Sequence, residues 1–274
     1  MIKYNKNLTE REMKTVYESD GYQCVLRDGF SDADTLHERH CHPFYEIIMV
    51  VSGKIVINIE NRRFTVSAGD AVFINPAEYH RISSFDGEEY RRFTLLFEKS
   101  LIPSAIRDTL LLKTAKNPVT CHAEMPALMS RLESAVTSED TAAYAPLIDA
   151  LVVQLFYTIL AGDFLPEDEN DLRLQKMLEY ISQHETEKIT LSDVASYAFI
   201  SESAVCHIFK SKMKVSFKQY VLQKKIAHAA ALIRGGASAA EASRIVGYQN
   251  YASFFKIYKK LSYELPSERK EKNK

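Results

Sequence analysis

The chain has 274 residues, of which 46% are hydrophobic, and a formal net charge of −1. That length holds one large domain or two ordinary ones, and the absence of low-complexity tracts excludes a fibrous or unfolded chain. The near-zero charge hides an asymmetry: residues 171–274 carry 18 Lys and Arg against 10 Asp and Glu, and residues 1–170 carry 17 against 26. A basic terminal third on an acidic remainder points to a polyanion-binding module beside a domain that avoids polyanions. A solvated basic surface is the plainer alternative. The four cysteines, Cys24, Cys41, Cys121 and Cys206, are scattered without a C-x-x-C pair, as free thiols in a reducing compartment are. The first residues have no apolar signal core, and the apolar run 147–161 is short and holds Asp149 and Gln154, so a cytoplasmic chain without a membrane span is expected.

In chain order, residues from about 20 to 100 read as short strands. Glu46–Val51 is rich in β-formers, Ser52-Gly53 is a hairpin turn, and 55–60 alternates with Ile55, Ile57 and Ile59 on one face. Residues 62–66, 71–74 and 92–97 are further strands. Tight turns between short antiparallel strands predict a sandwich or small barrel. After Phe97 the period changes, and 122–137 and 143–162 have helical spacing. The acidic, proline-containing stretch 162–169 reads as a linker, and everything from Asp171 to about Leu261 reads as helices.

The helical region contains an internal duplication of about 48 residues. Each copy opens with a capping box, Thr190 with Asp193 and Ser238 with Glu241. Each then has a small residue for a close helix crossing, Ala195 or Ser243, and a short turn that in the second copy holds Gly247. A new N-cap follows, Ser201 or Asn250, and the next helix ends on Phe209-Lys210 or Tyr258-Lys259. Cap, small residue, turn, cap and basic helix is the sequence form of a helix-turn-helix. Residues 216–234 read as one helix joining the copies, able to hold two recognition helices about 34 Å apart for successive major grooves. A plain helical bundle is the competing reading.

The segment Met177–Arg269 resembles the DNA-binding domain of the AraC/XylS family of bacterial regulators. The matching pieces are 189–195, Ser201 with 207–210, Ser216-Phe217 with Tyr220, Val246-Gly247-Tyr248, and Phe254 through 258–260 to Pro266-Ser267. The resemblance implies double-stranded DNA as partner. It assigns Ser203, Cys206 and His207, then Asn250, Tyr251, Phe255 and Lys256, to base edges or the start of the second recognition helix, and Lys210 and Lys259 to phosphates. The chain departs from the family at Lys214 and Tyr263, where turn glycines are usual, at Lys225, where arginine is usual, and at Ala204, Ala239, Ala242 and Ser253, which are smaller than usual. These losses keep open a relative that binds protein rather than DNA.

Upstream, His40-Cys41-His42-Pro43-Phe44-Tyr45-Glu46 followed by Gly53 resembles a first cupin motif, and 69–76 followed by His80 resembles a second. In metal-binding cupins the matching set would be His40, His42, Glu46 and His80. Here Glu78 stands where a glycine is usual and the spacing to His80 is one residue short. Regulators of this family usually hold a sugar or other small effector in that place without metal. The expectation is therefore no cofactor, no metal, and effector binding by Arg39, His40, His42, Tyr45, Glu46 and His80. A metal-dependent cupin enzyme is the alternative from another class. The resemblance further implies a homodimer through residues 143–162, with RNA polymerase as an additional partner. The predicted architecture is α+β: a cupin-like β-barrel with two following helices over residues 1–165, for ligand sensing and dimerisation, then an all-α DNA-binding domain over 170–274 with two helix-turn-helix motifs joined by a long helix.

Overall fold

Alternating side chains need two environments, and the strands provide them by separating into two sheets. The computed structural model describes residues 13–19, 21–29, 40–116, 118–165 and 172–261. The chain divides into two units, one of residues 1–38, 44–75 and 81–168, the other of 39–43, 76–80 and 169–274.

In the first unit the strands are β1 (Met13–Ser19), β2 (Tyr22–Gly29), β3 (Tyr45–Ser52), β4 (Lys54–Ile59), β5 (Arg62–Ser67), β6 (Asp70–Ile74), β7 (His80–Ser84, its first residue belonging to the second unit) and β8 (Tyr90–Phe97). The helix α1 (Arg107–Lys116), the short strand β9 (Val119–Cys121), the helices α2 (Met125–Val136) and α3 (Thr141–Ala161), and β10 (Asp163–Phe164) follow. One sheet has the order β1-β2-β8-β3-β6-β9-β10 and the other β5-β4-β7. The predicted cupin-like β-domain is formed, its strands arranged in two sheets, and α1, β9 and β10 are additions to the sequence-based expectation. Asp163 and Phe164, expected in the linker, pair with Cys121 and Thr120.

Alternation sorts the large sheet into two faces. Ile48, Val50, Val72 and Ile74 pack with Ile55, Ile57, Ile59, Phe64, Val66 and Ile82 of the smaller sheet. The opposite face, with Ile47, Met49, Phe73, Phe93, Leu95 and Phe97, packs on Leu110, Leu132, Leu155 and Phe156 of the helices. Each such buried side chain contributes about 1.5–3 kcal/mol of transfer free energy. The Tyr22 hydroxyl donates to Asp149 at 2.6 Å and ties β2 to α3. Burial, reinforced by that carboxylate, pushes the phenol well above its ordinary range. By length and composition α3 alone among the described helices qualifies as a membrane span. Its Ile148, Leu151, Val152, Leu155, Phe156 and Ile159 nevertheless lie in the core.

The second unit contains α4 (Leu172–Gln183), α5 (Leu191–Ala198), α6 (Glu202–Ile208), a π-helical turn at Phe209–Met213, α7 (Phe217–Arg234), α8 (Ala239–Ile245) and α9 (Tyr251–Leu261). Of the caps read from the sequence, Thr190 with Asp193 is a full capping box, and the Ser201 and Ser238 side chains accept from Ala204 N and Glu241 N; Ser216 with Gln219 forms a further capping box that the sequence reading did not name. Bonds from the Thr190 hydroxyl and amide hold the Asp193 carboxyl below the usual carboxylate range. The long helix α7 serves two cores. Phe217, Tyr220 and Val221 pack with α4, α5, α6 and with Tyr79, whose ring stacks on Tyr220 at 5.0 Å. Ile226, Ala229, Ala230 and Ile233 pack with Ala242, Val246, Phe254 and Tyr258.

Both helix-turn-helix turns use a left-handed residue after the first helix: Phe199 (φ 57°) in the first copy and Gly247 (φ 82°) in the second. The backbone bonds match: Ile200 N donates to Ala195 O at 3.0 Å and Tyr248 N to Ser243 O at 2.9 Å. Lys214, which stands where the family has glycine, is likewise left-handed at φ 58°. A side chain in that region costs about 1–2 kcal/mol. Phe199 is 86% exposed, and only Lys176 Nζ approaches its ring among the described cations, at 5.6 Å. Phe199→Gly is therefore expected to raise the melting temperature by about 1–3 °C in thermal denaturation, after the entropy cost of glycine is deducted. A fall would mean that the ring's contact with Lys176 outweighs its backbone strain.

Candidate functional site

The first recognition helix presents a polar face because its apolar residues are used inward. Val205, Ile208 and Phe209 are buried, while Ser203, Cys206, His207 and Lys210 are exposed at helical spacing i, i+3, i+4 and i+7. Ser201 Oγ accepts from Ala204 N at 3.2 Å, so the positive end of the helix is capped just before this face.

In the second copy, Asn250 Oδ1 accepts from Ser253 N at 3.1 Å. Asn250 thus acts as a cap, with its amide nitrogen as the group left to donate outward. Tyr251, Lys256 and Lys259 are exposed, and Phe255 is half-buried with its ring 6.1 Å from that of Tyr251. Phe254 and Tyr258 point into the core. Ala252, which the sequence reading passed over, and Ser253, which it noted only as smaller than usual, are also exposed in the first turn of α9, the part of a recognition helix that reaches base edges. The small Ala242 and Ser243 are buried and the Ser243 hydroxyl donates to Ala240 O at 2.8 Å, so this motif has a packed core despite its small residues.

Lys225, in place of the family's arginine, bridges elements. Its ammonium donates to Glu187 O at 2.6 Å and to Val246 O at 2.8 Å. Burial pulls its pKa down, with Glu185 and Glu187 opposing that shift.

The cupin-motif residues divide. His40, His42 and His80 come together in the second unit, with potential donor nitrogens within 4.8 Å of one another. His40 and His80 form an antiparallel bridge, N to O at 3.1 and 2.8 Å, and their ring centroids are 4.3 Å apart. The His80 Nδ1 lies 2.9 Å from Glu78 O. Glu46 and Tyr45 belong to β3 in the first unit and alternate across it. Glu46 is buried on the face shared with Ile48 and Val50, whereas Tyr45 stacks on Phe97 and meets Phe73 edge-on among the helix-facing aromatics. Arg39 lies outside the described residues. Three imidazoles suit a transition ion, but donors of a tetrahedral zinc site stand about 3.3 Å apart, so the group must tighten to take one. The expectation of a metal-free site predicts less than one equivalent of transition metal in the purified protein. Stoichiometric zinc or iron by elemental analysis overturns it.

Two sheets with trailing helices, followed by two capped helix-turn-helix motifs, define a DNA-binding transcription regulator with a ligand-binding domain. Two family models match: an AraC-like ligand binding domain over residues 21–156 and a helix-turn-helix domain over 194–272. The chain is 25% identical over 226 residues to LumQ of Photobacterium leiognathi, described as a probable transcriptional regulator, covering 81% of this chain and 87% of that one. It is 21% identical over 240 residues to the transcriptional activator RhaR of Mannheimia succiniciproducens, covering 84% and 85%. The solved structure of unsaturated fatty acid-bound ToxT from Vibrio cholerae covers 92% of this chain and 95% of its own, with 14% identity and a TM-score of 0.40. The chain belongs to the AraC/XylS family of transcriptional regulators and carries that family's cupin-like sensor domain. It is a regulator rather than a cupin enzyme.

Proposed function

We propose that this regulator reads a two-half-site DNA sequence with α6 and α9, under the control of a small effector, a sugar or related metabolite, bound by the cupin-like domain of residues 1–165. The observation that carries the DNA reading is the duplicated motif: in the basic domain of residues 170–274, both copies are capped alike, and both expose polar and cationic residues at the outward positions. Ser203, Cys206, His207, Tyr251, Phe255 and Lys256 face base edges, Asn250 caps the second helix, and Lys210 and Lys259 hold phosphates. The protein-binding alternative draws on the missing glycine at Lys214. The left-handed backbone found there and the buried core around Phe254 favour intact motifs instead.

Effector binding uses the buried Glu46 and the polar group His40, His42 and His80, with Arg39 and Tyr45 as further candidates. Differential affinity of the effector for two states of the protein would shift the DNA-competent population. Two copies pair through residues 143–162. On α3 the exposed large apolar side chains are Tyr144 and Leu147 near its start, and Val153 and Tyr157 one turn apart further on. The cytoplasm and contact with RNA polymerase complete this reading.

Selection of bound sequences from random DNA, with and without candidate sugars, tests it. Enrichment of a site with half-sites about one helical turn apart is expected, and no enrichment under either condition overturns the DNA reading. Within that site, Lys210→Ala weakens binding to all sequences alike and lowers the salt slope by about 1, while His207→Ala shifts preference at one base by about 1–3 kcal/mol. Equal loss on specific and random DNA for His207→Ala counts against its base contact.

A further inference from the structure

The inner face of the large sheet is not uniformly apolar. On β8 the alternation Tyr90, Arg92, Thr94, Leu96 lies on the face of Ile48 and Val50, where Tyr90 packs with the smaller sheet and Leu96 with Val25 and Phe44, while Phe93, Leu95 and Phe97 face the helices. Arg92 and Thr94 are each 6% exposed. The Nε and Nη1 atoms of Arg92 are buried without a hydrogen-bond partner among the described residues. Its neighbour Arg91, on the outer face, is paired with Glu133 at 2.6 Å.

Strand register places Glu46, the buried carboxylate of β3, out of reach of Arg92. Glu46 lies opposite Leu96 and Arg92 opposite Val50, so the two are four residues apart along the ladder and one strand across, about 14 Å between Cα atoms. That is beyond direct pairing. A guanidinium cannot shed its proton near neutral pH, so burying it without a counter-charge costs several kcal/mol. The domain around it is acidic overall, so a general demand for positive charge does not explain why one cation faces inward.

We propose that Arg92 is the anion-binding residue of the effector site, and that the effector carries a carboxylate or phosphate group. This rests on the sensor reading above and names the chemistry of its ligand: an acidic metabolite rather than a neutral sugar. The planar fork of Arg92 takes two oxyanion oxygens at once, and a low-dielectric surrounding strengthens that contact. The Thr94 hydroxyl, next on the same face about 7 Å along the strand, is placed for a further polar group of the ligand.

Thermal unfolding of the full-length chain tests the assignment, using glucose, glucuronate and glucose 6-phosphate at constant ionic strength. The three share a ring, so differences read the charge, and the two acids separate carboxylate from phosphate. The wild-type chain is expected to rise by roughly 5–10 °C at one hundred times Kd of at least one acid, with no rise for glucose. Arg92→Met removes that response. Without any ligand, Arg92→Met is expected to melt at or above the wild-type temperature, because it replaces an uncompensated buried charge by an apolar side chain of similar length. A lower melting point for Arg92→Met, an acid response unchanged by it, a rise with glucose equal to that with the acids, or indifference of the wild-type chain to both acids overturns the proposal. Selective DNA binding by the wild-type chain, measured with no added ligand, is the separate readout. Its absence removes the DNA-regulator reading, whereas a flat acid response with DNA binding intact removes only the role of Arg92.

Discussion

Gly247→Val is expected to lower the melting temperature by about 10 °C and to weaken binding to the selected DNA site at least tenfold. Two effects act together. Gly247 has φ 82°, a region that a β-branched residue adopts only under strain. A Cβ there would also stand 3.0 Å from Thr186 O and 3.3 Å from Lys225 Nζ. The backbone carbonyl cannot swing away as a side-chain tip can. Strain and crowding together cost about 3 kcal/mol. Because Gly247 sets the turn between α8 and α9, the loss falls on the second recognition helix. DNA binding and stability read by denaturation should fall together. A variant that melts with the wild type would show that the turn rearranges freely.

Lys225→Met is the second large effect, expected at about 2–3 kcal/mol by denaturant titration. Its ammonium is the donor to two carbonyls, one in the loop before α5 and one at the end of α8. Losing a charged donor leaves both with poorer partners. Lys225→Arg, which restores the residue usual in the family, should retain most of the stability. Since Lys225 and Gly247 meet at the same junction, the double variant should lose less than the sum of the two. Strict additivity would mean that the two act on separate elements.

How much of this was legible in the sequence depends on how local the cause is. Caps are local, and Thr190, Ser201, Ser238 and Asn250 were readable because a hydroxyl, carboxylate or amide near the first free amides is sufficient. The change of hydrophobic period after Phe97 was readable for the same reason. The helix α1 was not, since Leu110 is its one fully buried leucine and the exposed Leu112 blurs the pattern. The strands β9 and β10 have three and two residues, too few to carry a period. The left-handed Phe199 was hidden because its residue type argues against the conformation, although the 48-residue repeat aligns it with Gly247.

At the candidate effector site the limit was register. The motif drew attention to Tyr45 and Glu46 together, yet neighbours on a strand face opposite ways. Arg92 was passed over inside a segment that reads simply as a strand. Its inward aim follows from alternation with Thr94 and Leu96, but its lack of a counter-charge needed the ladder to be known.

The division of α7 between two cores bears on how such a protein can be shortened. A fragment ending before α8 would leave Ile226, Ala229, Ala230 and Ile233 as a naked greasy strip on a protruding rod. Deletion of the last motif should therefore yield insoluble material rather than a half-strength binder.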